Sequence, residues 1–246
     1  MPMKTLVIIP SRLAATRLPG KPLLKINGLS IISHVFKRAE EANIGDVVVA
    51  CEDQEILEDV KKNGGHAILT SSKHKTGTDR IYEALEKLNI SDIDLVMNIQ
   101  GDEPLINFHD VRNLNNQMIK NNSTMGTLGS KISDKKLYKN LNLVKVITNE
   151  NLDSSNFPQA INFIREISNE EEKIYHHLGI YCYELETLKK FVSYKQSKNE
   201  LKNKLEQLRA LDHGLRINVA LAKSSSIGID TEEDFMAIKK IMEYKS

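Results

Sequence analysis

The chain has 246 residues, and 34 Lys and Arg against 33 Asp and Glu leave a formal net charge of only +1. This balance provides no basic field for nucleic acid, and no apolar run approaches the roughly 20 residues of a membrane span. The apolar stretch near the N-terminus is too short for a signal peptide, and Cys51 and Cys182 lie in apolar, strand-like runs. We therefore expect a cytoplasmic protein with two reduced core thiols and no nucleic-acid or membrane partner.

Strand-like and helical segments alternate along much of the chain. The predicted strands are Thr5–Ile9, Val47–Cys51, Ala67–Thr70, Asp94–Ile99, Leu143–Thr148, Leu178–Tyr183 and Ile217–Ala222. The predicted helices are Ile31–Ala42, Glu55–Asn63, Asp79–Leu88, Val111–Lys120, Leu201–Leu211 and Glu232–Tyr244. The early strands are continuous apolar runs, which is typical of parallel strands buried on both faces. The alternation predicts a doubly wound, mostly parallel α/β sheet.

The alternation is lost between about residues 121 and 200, where strands follow one another without intervening helices. This change of pattern predicts an inserted antiparallel lobe. No linker rich in Ser and Gly or in Pro interrupts the chain, so residues 1–246 are interpreted as a single domain that carries this insertion.

The first polar cluster is PSRLAATRLPGKP, residues 10–22, which directly follows the first predicted strand. Ligands of open α/β sheets bind at the carboxyl ends of the strands. Three cations, Arg12, Arg17 and Lys21, in a loop with glycine and proline suit a polyphosphate. The loop has neither the Walker A nor the GxGxxG spacing. The alternative is a solvated loop with scattered charges.

The second cluster, HKTGTDR at residues 74–80, opens a predicted helix. Backbone N–H groups and hydroxyls of Thr76, Gly77 and Thr78 at a helix N-terminus can hold an anion or a base edge. A plain N-cap by Thr78, with Asp79 in the first turn, is an equal alternative, and both interpretations can hold together.

Two further motifs supply acidic residues. NIQGDEPL, residues 98–105, follows a predicted strand, and its glycine would allow a ligand close to the backbone. IGIDTEEDF, residues 227–235, places Asp230 and Thr231 before the last predicted helix. Carboxylates in these positions suit Mg²⁺, which completes its shell with substrate phosphates. The alternatives are a turn aspartate at Asp102 and a helix N-cap at Asp230 or Thr231.

Six motifs share the order and approximate spacing of one family: PSRLAATRLPGKPL, HKTGTDR, NIQGDEP, HLGIY, LEQLR and GIDTEEDF. Nearly end to end, the sequence resembles the 3-deoxy-manno-octulosonate cytidylyltransferases, the CMP-Kdo synthetases of lipopolysaccharide biosynthesis. The resemblance implies a Rossmann-like nucleotidyltransferase fold and a homodimer with the middle lobe at its interface. It also implies transfer of CMP from CTP to the anomeric hydroxyl of 3-deoxy-manno-octulosonate (Kdo), with release of pyrophosphate.

The resemblance further implies roles for individual residues. Arg12 and Lys21 match ligands of the CTP phosphates, Asp102 and Asp230 match the Mg²⁺ carboxylates, and these four are the predicted catalytic residues. The other predicted nucleotide contacts are Ser11, Arg17, Ser72, Thr76, Gly77, Arg80 and Gln100, the last of which matches a residue between nucleotide and sugar. The predicted sugar contacts are Asn142, Lys145, His177, Tyr181, Glu206 and Gln207.

The sugar half departs from the family pattern in two places. Where the family has Tyr-Phe-Ser-Arg, we align Asn156-Phe157-Pro158-Gln159, so that an arginine associated with the acidic sugar is missing. The aromatic pair that usually follows LEQLR is replaced by Asp212-His213. These departures leave two alternatives, a modified 2-keto-3-deoxy sugar acid such as 8-amino-Kdo and an inactive nucleotide-binding relative.

The sequence disfavours two functional classes, an inactive nucleotide-binding protein and a sugar-1-phosphate nucleotidyltransferase. Retention of both Asp102 and Asp230 argues against an inactive protein. A sugar-1-phosphate nucleotidyltransferase would carry a G-x-G-T-R-type loop, which this chain lacks.

Overall fold

The computed structural model describes residues 3–14, 17–90, 92–167, 173–225 and 228–244. It divides into two compact units: unit 1 is Met1–His109 with Ser226–Ser246, and unit 2 is Asp110–Ser225. Ala15 and Thr16 of the first predicted loop, and Ile227 of the last motif, lie outside the described residues. The lobe predicted at about 121–200 falls within unit 2, and the single-domain interpretation stays a prediction.

Unit 1 contains a parallel sheet whose strands alternate with helices. Its elements are β1 (Thr5–Ser11), β2 (Lys25–Ile26), β3 (Leu29–Ser30), α1 (Ile31–Glu41), β4 (Gly45–Cys51), α2 (Gln54–Lys62), β5 (Ala67–Leu69), α3 (Gly77–Leu88), β6 (Leu95–Asn98) and α8 (Glu232–Tyr244). Helix α4 (Phe108–Asn121) begins here and continues into unit 2. The order of this sheet is β6-β1-β4-β5, and these three pairings are parallel, whereas β2 and β3 form a separate antiparallel pair. Leu6–Ile9 of β1 are fully buried, as a strand covered on both faces requires.

The strand order of unit 1 reverses at β1. The chain first adds β4 and β5 on one side of β1 and then returns to place β6 on the other side. Loops that leave neighbouring strands on opposite sides of such a reversal diverge, and this opens a crevice at the carboxyl ends of the strands. The segments after β1 and β6 are therefore placed to form a ligand site.

Unit 2 contains a mostly antiparallel sheet. Its elements after α4 are β7 (Met125–Ser130), β8 (Lys145–Thr148), β9 (Ala160–Ile164), β10 (Ile174–Glu184), α5 (Leu185–Ser193), α6 (Lys198–Asn203), α7 (Gln207–Asp212) and β11 (Asn218–Ala222). The pairings β7–β10, β10–β8 and β8–β9 are antiparallel, and β11–β7 is parallel. The predicted α/β class with an antiparallel lobe is confirmed.

The predicted helix Leu201–Leu211 is wrong, because this segment forms two helices. Lys204 has a left-handed backbone with φ of 54°, which ends α6 and separates it from α7. Helix α6 begins earlier than predicted, at a capping box in which Ser197 and Glu200 each bond the other's backbone.

Strand β7 was not predicted, because its sequence MGTLGS is poor in residues that favour strands. The close packing of other parts of unit 2 against β7 favours the strand instead. A Cβ at Gly126 would lie 2.7 Å from the Met118 sulfur, and one at Gly129 would lie 3.1 Å from Leu152. The glycines therefore let neighbouring side chains pack directly on the strand.

Cys51 and Cys182 are buried and free, which confirms the prediction of core thiols. Burial raises the pKa of both, that of Cys51 to about 11. Within the described part of the chain, no helix has the length and apolar character needed to cross a membrane.

Candidate active site

A cavity of about 390 Å³ opens in unit 1 beyond the carboxyl ends of β1 and β6. The four predicted catalytic residues, Arg12, Lys21, Asp102 and Asp230, all line it. Six of the seven other predicted nucleotide contacts line it as well: Ser11, Arg17, Thr76, Gly77, Arg80 and Gln100. Ser72 is the exception, because it is not among the lining residues.

The loop after β1 is held in place by its backbone. Gly20 has a left-handed φ of 70°, which glycine adopts without strain, and Pro22 lies in the short 3-10 helix that follows. The Gly20 amide donates to the Leu13 carbonyl at 3.2 Å, and the Leu13 amide donates to the Asp53 carboxylate at 2.8 Å. Leu13 is therefore anchored to Asp53 and bonded across the loop to Gly20, unlike a residue of a loosely solvated loop.

Asp53 is a site-supporting residue that the sequence analysis missed. It directly precedes α2, but its side chain makes no capping hydrogen bond there and instead accepts from Leu13. Its position after β4, at the same sheet edge as the predicted clusters, was the signal that could have identified it.

Lys21 brings the acidic motifs together. Its ammonium lies 2.6 Å from Asp102 Oδ2, 2.5 Å from the Ile229 carbonyl oxygen and 3.4 Å from Asp230 Oδ1. Arg17 pairs with the other oxygen of Asp230 at 2.8 Å. Residues that are more than 200 positions apart in sequence thus meet around one cation.

The structure distinguishes the two candidate N-caps of α8, Asp230 and Thr231. Thr231 Oγ1 accepts from the Asp234 amide at 3.2 Å, and the Asp234 carboxylate accepts from the Thr231 amide at 2.9 Å. Thr231 is therefore the N-cap, and the capping interpretation of Asp230 is wrong. Because Thr231 supplies the cap, the Asp230 carboxylate is left to pair with cations.

Gly101 is required for close packing next to the cavity. A Cβ at this position would lie 2.8 Å from the Pro10 carbonyl oxygen and 3.2 Å from Ile32 Cδ1. Protein atoms thus fill the space that a side chain would need, while Gly101 itself lines the cavity, and the expectation that it lets a ligand approach the backbone stays a prediction. The neighbouring Asp102 carbonyl accepts from the Ile229 amide at 2.9 Å, which joins the two acidic motifs through their backbones.

The HKTGTDR segment begins α3, but its cap is Thr76. The Thr76 side chain accepts from the Asp79 amide at 3.2 Å, and the helix starts at Gly77, so Thr78 already lies within the helix. The predicted cap at Thr78 is wrong. Thr76 and Gly77 line the cavity at the start of the helix, where the macrodipole favours negative charge.

Arg80 serves as an anchor below this segment. It is 3% exposed, forms an ion pair with Glu52, and donates to Thr70 Oγ1 at 2.7 Å and to the Ser71 carbonyl at 3.4 Å. Since one Arg side chain carries all these bonds, it fixes the loop between β5 and α3 to the end of β4.

His74 and Lys75 also line the cavity, although neither was singled out from the sequence. Glu83 accepts from His74 Nε2, from the Ser71 amide at 2.8 Å and from Lys87 at 2.7 Å. Burial alone would raise the pKa of Glu83, but these hydrogen bonds outweigh it and lower the pKa to about 2. An ionised Glu83 therefore holds the His74 ring at the cavity wall.

The donor set of the cavity fits Mg²⁺. The described residues contain no group of three or more acidic, His or Cys side chains that could hold a metal ion. Mg²⁺ does not need one, because one or two carboxylates with water and substrate phosphates complete its shell. The contact of a single ammonium with both Asp102 and Asp230 indicates that these carboxylates converge on a position that holds a cation.

Four of the predicted sugar contacts lie in two segments of unit 2. His177 and Tyr181 belong to β10, and Glu206 and Gln207 lie at the start of α7. His177 is buried, with Nε2 3.0 Å from Thr127 Oγ1, and its ring centroid lies 5.5 Å from that of Tyr181. The pKa of Tyr181 is raised mainly by burial and further by electrostatic interaction with Tyr183 and Glu206. Gln207 is buried in the first turn of α7, beside Glu206.

Lys145 and Asn142 have different surroundings. Lys145 is fully buried, and its ammonium donates to the Asn140 carbonyl at 2.6 Å and to the Arg165 carbonyl at 2.7 Å. Burial and the Arg165 guanidinium lower its pKa. Asn142 is exposed. Lys145 is thus bound to backbone oxygens of its own unit.

The structure favours a different alignment of the family's Tyr-Phe-Ser-Arg pattern. Asn162-Phe163-Ile164-Arg165 keeps both the phenylalanine and the arginine at the required spacing. Phe163 packs edge-on against His177 with ring centroids 4.9 Å apart, whereas Gln159 directly precedes β9 and is exposed. The contact with His177 favours residues 162–165 as the match, with Arg165 as the arginine, and the alignment at residues 156–159 stays a prediction. Phe157 offers the same aromatic side chain six residues earlier.

The chain matches the cytidylyltransferase family over residues 6–217. Three relatives bear the name 3-deoxy-manno-octulosonate cytidylyltransferase. They come from Thermodesulfovibrio yellowstonii (41% identical, covering 98% of this chain and 98% of the relative), Afipia carboxidovorans (42%, covering 97% and 96%) and Bartonella tribocorum (39%, covering 98% and 100%).

Solved structures agree with this relationship. A structure described as CMP:2-keto-3-deoxy-manno-octonic acid synthetase complexed with CTP superposes with a TM-score of 0.89 at 32% identity, covering 99% of this chain and 100% of that one. A 4-diphosphocytidyl-2C-methyl-D-erythritol synthase from Anaerococcus prevotii shares the fold, with a TM-score of 0.63 at 13% identity and coverage of 98% and 99%. The predicted nucleotidyltransferase fold is confirmed, and the chain belongs to the 3-deoxy-manno-octulosonate cytidylyltransferase family.

Proposed function

We propose that the chain transfers CMP from CTP to the anomeric hydroxyl of Kdo and releases pyrophosphate. The bond from the sugar oxygen to the α-phosphorus forms as the bond to the leaving pyrophosphate breaks. The observation that carries the proposal is the joint lining of one cavity by three cations, Arg12, Arg17 and Lys21, and two carboxylates, Asp102 and Asp230. This set suits a magnesium–triphosphate, and family membership supplies the sugar.

Attack of an oxygen on a polyanion requires charge neutralisation and in-line positioning more than covalent catalysis. In this proposal Arg12 and Lys21 neutralise charge that builds on the departing pyrophosphate. Thr76 and Gly77, at the start of α3, hold the nucleotide with Arg80 fixed beneath them. Asp53 acts only through the loop, by holding the Leu13 amide.

We assign Asp102 and Asp230 as the ligands of Mg²⁺. When bound, the ion would neutralise phosphate charge and lower the pKa of the attacking hydroxyl. The two carboxylates, in turn, fix the position of the cation relative to the loop after β1.

For the sugar acid we propose contacts from His177, Tyr181, Glu206 and Gln207, with Arg165 as the partner of its carboxylate. A guanidinium can hold a carboxylate through two parallel hydrogen bonds. Lys145, whose ammonium already donates to two carbonyls, supports the Arg165 backbone instead. An amino-substituted sugar was considered because an arginine contact was missing. If Arg165 makes that contact, this reason no longer applies, and the names of the relatives favour Kdo.

We further propose a cytoplasmic homodimer that supplies CMP-Kdo for lipopolysaccharide synthesis. Three large apolar side chains of unit 2 are more than half exposed, Leu141 at 56%, Ile161 at 59% and Leu201 at 58%, and they are candidates for the dimer contact. Sedimentation of wild type and of Ile161→Glu tests this: a dimer that becomes monomeric supports it, and a wild-type monomer contradicts it.

The activity is tested by following pyrophosphate release from CTP, Mg²⁺ and Kdo. Release should require Kdo, should fall steeply when UTP or ATP replaces CTP, and should be lost in Asp102→Asn. Release that proceeds equally without Kdo, or none with all three components, would contradict the proposed function.

A further inference from the structure

The Lys21 ammonium is fully hydrogen-bonded by the protein itself. An ammonium has three N–H donors. Lys21 has three acceptors: Asp102 Oδ2 at 2.6 Å, the Ile229 carbonyl at 2.5 Å and Asp230 Oδ1 at 3.4 Å. Its side chain is only 12% exposed. In this arrangement no N–H remains for a phosphate oxygen.

This arrangement conflicts with the roles that the proposed function gives to the same atoms. A divalent cation held between Asp102 and Asp230 would take the position that the Lys21 ammonium occupies, in contact with one oxygen of each carboxylate. Two cations that share those oxygens would repel each other strongly in a partly buried cleft. The lysine ammonium and the metal therefore compete for the position between the two carboxylates.

We propose that Lys21 is an exchangeable counter-cation. It neutralises the Asp102–Asp230 pair while the cleft holds no nucleotide, and it moves to the triphosphate when the metal–CTP complex enters. This inference rests on the proposed function and deepens it. It requires that metal binds together with the nucleotide, because metal alone gives the ammonium no phosphate to move to.

The flexible four-carbon stem of lysine suits such a movement, and the anchored loop keeps its base fixed. Arg17 provides a matched comparison. It contacts Asp230 at 2.8 Å, which is closer than Lys21, but its side chain is 60% exposed and it makes no ion pair with Asp102 among the described contacts. A general loss of positive charge would act similarly at both positions, whereas exchange is specific to Lys21.

The first test measures Mn²⁺ affinity of the nucleotide-free protein by electron paramagnetic resonance of free Mn²⁺. We expect Lys21→Gln and Lys21→Met to bind Mn²⁺ at least about tenfold more tightly than wild type, because the competing cation is gone. Arg17→Gln should change the affinity less than about threefold, because solvent screens an exposed pair. Equal affinities of wild type and both Lys21 variants, or an equal gain in Arg17→Gln, would overturn the exchange.

The second test needs no variant of the site. In lysine-selective ¹⁵N NMR, the Lys21 ammonium should give a protected signal that shifts when Mg²⁺ and CTP are added together and stays in place with Mg²⁺ alone. A signal unchanged by saturating Mg²⁺–CTP would overturn the inference while leaving the proposed function intact. Failure of wild type to bind Mn²⁺ even with CTP would instead overturn the metal assignment and, with it, this inference.

Discussion

The backbone amide of Leu13 donates a hydrogen bond of 2.8 Å to the carboxylate of Asp53. This bond joins the cationic loop after β1 to the segment after β4. The loop carries Arg12, so the direction in which that guanidinium points depends on the position of its neighbour Leu13. Asp53 is thus a positioning residue that need not touch CTP.

Asp53→Ala should raise KM for CTP with a smaller effect on kcat. Loss of one hydrogen bond to a charged acceptor costs about 1.5–3 kcal/mol, roughly 10- to 150-fold in an equilibrium. Asp53→Asn keeps an acceptor oxygen and should recover most of the loss, and Asp46→Ala, an exposed aspartate of β4, serves as control. Steady-state kinetics of the three variants checks this, and a raised KM for Kdo alone would show that the loop serves another substrate.

Asp102→Asn should remove most turnover with the unfolding temperature close to that of wild type. Loss of a charged metal ligand costs several kcal/mol of transition-state stabilisation, whereas a side chain that is 30% exposed contributes little to the core. Asp92→Asn, an exposed partner of Lys4, is the control. Ordinary activity of the Asp102 variant at low Mg²⁺ would refute the assignment of this carboxylate.

Arg165→Gln should raise KM for Kdo roughly ten- to hundredfold, because hydrogen bonds to charged groups contribute about 1.5–3 kcal/mol. Gln159→Arg and Arg216→Gln, both at exposed positions, should leave the kinetics unchanged. Since the Arg165 guanidinium also donates to the Leu141 carbonyl at 3.1 Å, the melting temperature of each variant must be measured alongside. Improved use of Kdo by Gln159→Arg would favour the alignment at residues 156–159.

Unit 2 should lose stability between pH 6.5 and pH 4. The pKa of His176 is lowered to about 4, mainly by burial and further by the charge of Lys145. The pKa of His177 is lowered to about 3, mainly by burial and further by electrostatic repulsion from His176. An unfolded histidine binds its proton near pH 6.5, so the unfolded state binds more protons in this window and stability falls as the pH falls.

The slope should be about 1.4 kcal/mol per pH unit for each buried histidine. Thermal unfolding of His176→Gln and His177→Gln from pH 7.5 to pH 4.5 should show a shallower decline than wild type. His66→Gln, at an exposed position, should follow wild type. Parallel curves for all four proteins would show that these two histidines do not titrate on unfolding in this range.

The nucleotide half could be predicted from sequence because its chemistry lies at strand ends. Buried apolar runs mark β1 and β6, and the polar residues that follow them, such as Lys21 and Asp102, must emerge at one sheet edge. The sugar half was harder, because its residues lie along antiparallel strands whose register depends on tertiary pairing. Without that pairing, Phe157 and Phe163 were equivalent matches, and only the contact of Phe163 with His177 distinguishes them.

The break between α6 and α7 shows the same limit. Leu201, Leu205 and Leu208 recur at helical spacing across the break, so the sequence favoured one continuous helix. The left-handed Lys204 is imposed by packing, as the buried ion pair of Arg209 with Glu200, at 2.6 Å, holds α7 back against α6. A residue without glycine's freedom gives no local signal for such a turn.

The central claim is transfer of CMP, which carries the α-phosphate of CTP, to Kdo, and parallel reactions with [α-³²P]CTP and [γ-³²P]CTP test it most directly. With Mg²⁺ and Kdo present, the α label should appear in a nucleotide–sugar product and the γ label in pyrophosphate, in equal amounts. The γ label in the sugar product, or the α label in free CMP with no sugar attached, would contradict the account.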